Sequence, residues 1–294
     1  MKTVVALLIM IAAAAGHADP ATCWDELVFE AGNDWATASS TLHFGQTDAM
    51  ATKLDLTGAP SKGRLMPQGA SIGVISASVT AMRSHGELQT WFDPVSGAAL
   101  QSRRIGSGRD SRMKTHRFLQ TGVWRERRTP DASTQTTAPE TWPLRSAAQL
   151  SYPPDVKREP VITPLMLLSR ASALALRTKP GKLDYVVLTD TQLYRVVLES
   201  RPDTVMQANV QLEPGANGAG IHGERTVRRV DVRPHLLGEA PEEEPFSLME
   251  LEGETALMID RETGLPLQIQ GRWMRVGTVT VPLTRARLRS GCRP

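Results

Sequence analysis

The chain has 294 residues, of which 40% are hydrophobic and 5% aromatic, and its formal net charge is +3. This hydrophobic content is enough for a substantial core and excludes a wholly disordered chain, while the mild charge does not favour nucleic acid as a partner. The length fits one large domain or two of ordinary size. The 20 prolines and 23 glycines predict many turns and few long helices.

The N-terminal segment has the pattern of an export signal. Lys2 is followed by an apolar run over residues 4–15 and by the small residues Gly16 and Ala18, which predicts cleavage after Ala18. The alternative is an uncleaved anchor, but the run is shorter than the ~20 residues that a membrane-spanning helix needs. We therefore expect a signal peptide over residues 1–18, a periplasmic location and a mature chain without a transmembrane segment.

The first half of the mature chain, residues 19–128, is expected to be rich in strands. Its short runs alternate apolar and polar residues, and Gly, Pro, Asn or Ser separate the runs. This period of two is typical of half-buried antiparallel strands. Residues 129–160 are rich in Pro, Thr and Ser and predict an extended connector, after which residues 161–294 supply a helix and further strands. The two strand-rich parts form either one continuous domain or two.

Residues 163–177 are predicted to form the principal helix. Thr163 is expected to cap it, Pro164 to occupy its first position, and Arg177 to complement the dipole at its C-terminal end. The segment is apolar on most faces, so we expect it to be buried against a sheet, beside either a filled core or an apolar cleft. If there is a cleft, its candidate ligand-binding residues are Leu165, Leu168 and Leu174. The predicted fold class is α+β, predominantly antiparallel β, with a curved sheet or partly closed barrel around one main buried helix.

One ten-residue phrase occurs twice in the chain. FDPVSGAALQ at residues 92–101 and IDRETGLPLQ at residues 259–268 share an Asp, two variable positions, Ser or Thr, and Gly. This is turn chemistry, because the carboxylate bonds nearby backbone N–H groups and glycine tolerates positive φ. We interpret both phrases as hairpin turns of one type. The alternative is a catalytic carboxylate pair formed by Asp93 and Asp260.

The two cysteines, Cys23 and Cys292, lie near opposite ends of the chain. In an oxidising compartment this placement predicts a disulfide, and two unpaired thiols are the alternative. A strand-like run follows Cys23 and another precedes Cys292. The bridge therefore predicts that the first and last strands are neighbours in a sheet that curls toward closure, which protects two otherwise open edges.

Residues 103–128 are rich in arginine and lysine and poor in acidic residues. Such a cluster can contact anionic lipid headgroups or cell-wall polymers, and a solvated hairpin face that opposes self-association is the alternative. The candidate residues for an anionic surface are Arg103, Arg104, Arg125, Arg127 and Arg128.

The sequence has no recognisable catalytic constellation. Its histidines lack metal-ligand spacing, the cysteines do not form a Cys-x-x-Cys pair, and a phosphate-binding glycine loop is absent. We therefore expect no metal, no cofactor and a non-enzymatic function. A secreted hydrolase with an unrecognised site is the alternative.

The chain resembles a family of Gram-negative periplasmic β-rich proteins of unknown function. The resemblance lies in the export signal, the strand-rich first half, the apolar helical segment that ends in Arg177, the strands around Tyr185 and Tyr194, and the closing stretch ALMIDRETGLPLQIQGRWMRVGTVTVPLTRARL. Such proteins are similar in fold to the half-barrel lipoprotein carriers, which hold acyl chains. The resemblance implies a sheet wrapped around an apolar cleft. It also implies a role as an envelope scaffold or as a carrier of an apolar or acyl ligand, with a lipid or another envelope component as partner.

Overall fold

The computed structural model describes residues 22–33, 36–52, 54, 59–81, 84–108, 111–156, 159–213, 220–238, 245–273, 276–290 and 292. The signal peptide predicted over residues 1–18 lies outside the described residues.

Strands account for most of the described chain. The first eight are β1 (Trp24–Asn33), β2 (Ala36–Asp48), β3 (Ser71–Ala81), β4 (Ser84–Phe92), β5 (Ala99–Ser107), β6 (Arg112–Leu119), β7 (Gly122–Arg128) and β8 (Leu144–Ser151). The others are β9 (Val161–Ile162), β10 (Lys182–Leu188), β11 (Leu193–Leu212), β12 (Ile221–Leu237), β13 (Ser247–Leu248), β14 (Leu251–Asp260), β15 (Pro266–Trp273) and β16 (Gly277–Leu288). The α-helix in the described residues, α1, spans Met166–Leu176.

The strands form one sheet that joins both halves of the chain. Strands β1 to β8 form an antiparallel meander, and β1 also pairs with β16, from which the sheet continues through β15, β14, β12, β11, β10 and β9. Leu27 of β1 lies opposite Ala286 of β16. The first and last strands are therefore neighbours, as the sequence predicted.

The second half of the sheet curls into a partial ring. Strand β11 has 20 residues, and a register shift between Ser200 and Asp203 interrupts its ladder with β12. Such an irregularity bends a strand and increases its twist. The far end of β11 then reaches β16, where Gln211 and Leu212 form a short parallel pairing. The predicted curved, partly closed and mainly antiparallel sheet with one helix is confirmed.

Strand β8 lies inside the segment that the sequence predicted to be an extended connector. It pairs with β7 over most of its length, and nearly all its residues are exposed. Because neither face is buried, the strand lacks the apolar–polar alternation by which a strand is detected. The residues before it are held by Trp142, which packs against Ile105 and Met113.

Helix α1 is buried against β11, β12 and β14. Two arginines donate to the carbonyl oxygen of Ala175 near its C-terminal end, Arg228 of β12 over 3.2 Å and Arg261 of the turn after β14 at closer range. Cations at this position complement the helix dipole. The sequence predicted that Arg177, the residue that ends the helix, would complement the helix dipole. In the structure this positive charge is provided by arginines that are distant in sequence.

The start of the helix differs from the prediction. The N-cap residue is Leu165 and no side chain caps the first turn. The hydroxyl of Thr163 lies 2.9 Å from the hydroxyl of Thr90 on β4. The predicted cap at Thr163 is therefore wrong, because its side chain is used in a tertiary contact with the sheet.

The repeated phrase forms two turns with the same hydrogen bonds. The carboxylate of Asp93 accepts from the backbone N–H and hydroxyl of Ser96, over 3.0 and 2.6 Å. The carboxylate of Asp260 accepts from the same groups of Thr263, over 2.9 and 2.6 Å. The interpretation as two hairpin turns of one type is confirmed, and both carboxylates are occupied by turn geometry.

Both turns also contact α1 through their glycines. Gly97 and Gly264 have φ of 71° and 72°, which glycine adopts without steric cost. A Cβ on Gly97 would lie 2.7 Å from the Arg170 guanidinium, and one on Gly264 would lie 3.0 Å from the Leu176 side chain. One glycine from each half of the sheet therefore lets its turn approach the same buried helix.

Candidate functional site

A buried ionic cluster joins the two halves of the chain at the face of the sheet that covers α1. Asp190 lies in the turn between β10 and β11, while Lys114 and His116 lie on β6 and Arg125 on β7. His116 and Arg125 are directly opposite each other in the ladder, and Lys114 is two residues from His116. Since alternate residues of a strand share a face, all three side chains point toward Asp190.

The carboxylate of Asp190 is bound by its neighbours on both oxygens. Arg125 donates from Nε and Nη2 over 2.9 Å to each oxygen, in the bidentate geometry that guanidinium favours. Lys114 Nζ donates to Oδ2. The Lys114 and Asp190 side chains are each only 10% exposed, so the pair is shielded from water.

The electrostatics of the cluster favour an ionised Asp190. Burial alone would raise the pKa of its carboxyl group. Hydrogen bonds from His116, Arg125 and Lys114 outweigh burial and hold this pKa well below its usual range. The side chains of Lys114 and Arg125 thus share the carboxylate of Asp190.

His116 has a fixed hydrogen-bond pattern. Its Nε2 lies 2.8 Å from the backbone carbonyl oxygen of Asp190. A carbonyl only accepts hydrogen bonds, so Nε2 carries a proton and donates. The other ring nitrogen, Nδ1, lies 3.4 Å from the hydroxyl oxygen of Ser102 on β5. A neutral ring therefore presents Nδ1 to Ser102 as an acceptor.

A small cavity lies directly beside the cluster. Its volume is about 100 Å³, and it is enclosed by β4, β5 and β6, by the segment that enters α1, and by residues 245–250. Leu88, Leu165, Leu188 and Met249 supply apolar walls, and the polar end includes the ionic cluster. A ligand here would meet apolar surface on one side and ion pairs, those of Arg104 with Glu250 and of Lys114 with Asp190, on the other.

The turn that closes this cavity is strained. Met249 and Glu250 connect β13 to β14 with φ of 53° and 66°, the left-handed region that non-glycine residues rarely adopt. A two-residue hairpin of this geometry normally uses Asn-Gly, and each non-glycine residue costs on the order of 1–3 kcal/mol. Both side chains line the cavity, and Glu250 accepts from Arg104 over 2.6 Å. Strain of this kind is characteristic of functional sites.

Of the three leucines predicted to bind ligand, the structure places one at the cavity. Leu165 lines it. Leu168 and Leu174 are fully buried in the main hydrophobic core, where they pack against protein. The sequence did not indicate Asp190, Lys114 or His116, since residues so distant in sequence carry no common spacing.

The five arginines predicted to form an anionic-surface site are divided between the two faces of the sheet. Arg104, Arg125 and Arg127 share the face of Asp190, whereas Arg103 and Arg128 point to the opposite face. Arg103 contacts Glu140 over 2.6 Å and Arg128 contacts Glu126 over 3.5 Å. Strand alternation therefore splits the cluster that looked continuous in sequence.

Comparison of the chain with protein-family models, with curated proteins and with solved structures gave no match. Within the described ranges, no helix has both the length and the apolar character to span a membrane. Nor do any three His, Cys, Asp or Glu side chains among these residues form a group suited to a metal ion.

Proposed function

We propose that the chain is an exported, non-enzymatic periplasmic protein that carries a ligand with an apolar body and an acidic head group. The cavity beside Asp190 is the observation that carries this proposal. Leu88, Leu165 and Leu188 form an apolar wall, while Lys114 and Arg104 place cations at the polar end. Pockets of this kind bind ligands through apolar contact and orient them through a few polar groups.

Two further features support an exported carrier. The disulfide between Cys23 and Cys292 is of the kind that persists in oxidising compartments. The resemblance to the half-barrel lipoprotein carriers also fits a curved sheet around one helix. Under this proposal the partner is a lipid or another acyl-bearing envelope component.

The size of the cavity constrains how such a ligand enters. Its volume of about 100 Å³ is below the ~300–1,000 Å³ typical of small-molecule pockets, so the cavity accommodates only a short acyl segment. A longer chain requires the turn at Met249 and Glu250 to move outward. The strain in this turn lowers the cost of that movement, because leaving the left-handed region releases it.

Native mass spectrometry of protein purified from the periplasm of its native host tests the proposal directly. We expect the spectrum to show an acyl ligand that remains bound during purification. The structural test is the variant Met249→Asn with Glu250→Gly. Asn-Gly keeps the turn geometry without the backbone strain, so outward movement of the turn is no longer favoured; the variant also shortens the side chain at position 249 and removes the one at position 250. We expect unchanged or higher stability, together with roughly tenfold weaker binding of a fluorescent fatty acid, which corresponds to ~1.4 kcal/mol.

The matched control is Met50→Asn, because Met50 is 97% exposed and lies in another turn. This variant should bind the fatty acid as the parent protein does. The carrier proposal would be overturned if native mass spectra show only ligand-free protein and the parent protein does not bind the fatty acid. A scaffold function would then remain.

A hydrolase is the second candidate, and the contact between Ser102 and His116 favours it. The hydroxyl of Ser102 lies 3.4 Å from Nδ1, and the Asp190 carbonyl fixes the protonated nitrogen on the other side of the ring. In a hydrolase Nδ1 would accept the hydroxyl proton while Oγ attacks an acyl carbonyl. The ring would then return this proton to the alcohol that leaves as the ester bond breaks, and water would hydrolyse the acyl-serine. The distance exceeds the ~2.6–3.2 Å of an assembled nucleophile and base, so the hydrolase ranks below the carrier.

Labelling with a fluorophosphonate separates the two candidates. A hydrolase should gain the mass of one covalent adduct on Ser102, and Ser102→Ala should abolish it. Ser146→Ala, on the exposed strand β8, is the matched control and should label normally. For the carrier we expect no adduct and no release of product from a chromogenic short-chain ester.

A further inference from the structure

A second and larger cavity lies at the open end of strands β5 to β7. It has a volume of about 540 Å³ and lies between Gly108 and Ser111, next to the ends of β5 and β6, and the segment that follows β7. This volume is within the ~300–1,000 Å³ range of small-molecule sites. The cavity is called the end groove, and the residues that define it are Ser111, Arg112, Arg127, Thr129, Asp131 and Gln135.

The end groove contains two arginines on one face of the sheet. Arg127 lies opposite Lys114 in the ladder between β6 and β7, and Arg112 is two residues from Lys114. Both guanidinium groups therefore lie on the face that carries Asp190, displaced toward the end of the strands. Both residues are exposed, so a ligand can reach them from solvent.

The charge of these two arginines is not neutralised within the described part of the chain. There, the ion pairs include Arg104 with Glu250 and Arg125 with Asp190, but none that involves Arg112 or Arg127. Of the five arginines predicted to contact an anionic surface, Arg127 is the one without a carboxylate partner among the described residues.

The carboxylate that lines the groove is engaged in its own turn. Oδ1 of Asp131 accepts hydrogen bonds from the backbone N–H groups of Ser133 and Thr134, both over 3.0 Å. The hydroxyl groups of the same residues donate to it over 2.7 and 2.9 Å. Among the described lining residues, two guanidinium groups thus stand against one carboxylate, so these residues carry a net positive charge. Thr129 and Gln135 add a hydroxyl and an amide.

We propose that the end groove binds a polar ligand that carries a phosphate group. Guanidinium presents a planar fork of donors that matches phosphate oxygens, and two forks on one face suit a doubly charged anion. The hydroxyl and amide groups suit the polar remainder of such a ligand. This site goes beyond the proposed carrier function and does not depend on it, because the two cavities have different lining residues.

Titration calorimetry with inorganic pyrophosphate at low ionic strength tests the proposal. We expect binding by the full mature chain, and at least tenfold weaker binding after Arg112→Gln with Arg127→Gln. The fold should be retained, because neither arginine has an ion pair in the described chain. Arg272→Gln is the control for a general effect of charge: it removes one positive charge from an exposed position on β15 and should leave binding unchanged.

Vesicles identify the source of the phosphate. The protein is sedimented with phosphatidylglycerol vesicles and with phosphatidylcholine vesicles. If it binds only the phosphatidylglycerol vesicles, and the double substitution abolishes this binding, the phosphate belongs to a lipid headgroup. Pyrophosphate binding without vesicle binding would assign it to a soluble ligand. The proposal is overturned if neither probe binds, or if the double variant binds both as the parent does.

Discussion

Removal of the disulfide is expected to destabilise the protein more than the loss of any ion pair. The variant Cys23→Ser with Cys292→Ser should lose about 5 kcal/mol of unfolding free energy. The two residues are 269 positions apart, and in the chain-entropy model a closed loop of this length restricts the unfolded state by roughly 5–6 kcal/mol. This is a large share of the ~5–15 kcal/mol by which domains are stable.

The native structure accommodates the bridge through its strand order. β1 pairs with β16, and the backbone N–H of Arg289 donates to the carbonyl oxygen of Cys23 over 3.2 Å. The Cα atoms of the two cysteines are 5.6 Å apart, near the centre of the range that disulfides adopt. The folded chain therefore holds both cysteines in place without the bond, and the loss acts mainly through the unfolded state.

Denaturant unfolding of the parent and the double serine variant measures this effect. We expect a lower midpoint and a higher slope for the variant, because its unfolded chain is less compact. A reductant should shift the parent toward the variant and leave the variant unchanged. A loss below about 1 kcal/mol would contradict the entropic account, and two reactive thiols in the unreduced parent would contradict the bridge itself.

Local chemistry made the hairpins and the chain closure predictable from the sequence. The phrase around Asp93 and Asp260 contains the Ser or Thr whose N–H and hydroxyl close each turn, so the turn conformation follows from ten residues. The pairing of Cys23 with Cys292 needed only the compartment and the count of cysteines. The hairpins can be predicted because a short segment determines them, and the disulfide can be predicted because the chain has only two cysteines.

The site was not predictable, because its parts are distant and use no standard motif. Lys114 and Asp190 are 76 residues apart, and nothing in either neighbourhood indicates the other. The turn at Met249 and Glu250 lacks the Asn-Gly signature from which its geometry could be recognised. Arg103 and Arg104 are adjacent in sequence and lie on opposite faces of β5, but which of them shares the face of Asp190 becomes evident only from the register of β5 with β6.

The second large effect is expected at Asp190, the anion that two largely buried cations share. Asp190→Asn should lower the free energy of unfolding by about 3–5 kcal/mol, because it removes the negative charge that compensates Lys114 and Arg125. Lys114→Met in the same chain should recover part of this loss. Asp184→Asn is the matched control, since its carboxylate is 56% exposed and exposed pairs contribute at most about 1 kcal/mol.

Acidification provides an independent measure of the same interaction. The pKa of Asp190 is lowered in the folded state, so its contribution is fully present above the unfolded value of ~3.9 and is lost as the pH falls toward the folded pKa. The parent should lose stability below about pH 4 more steeply than Asp190→Asn, which has no carboxyl group to protonate at this position. Unfolding midpoints measured from about pH 7 to pH 2 give both slopes. Equal slopes would mean that Asp190 is not held ionised by His116, Arg125 and Lys114. The turn between β10 and β11 would then be held against β6 and β7 by packing and by the hydrogen bond from His116 to the Asp190 carbonyl oxygen.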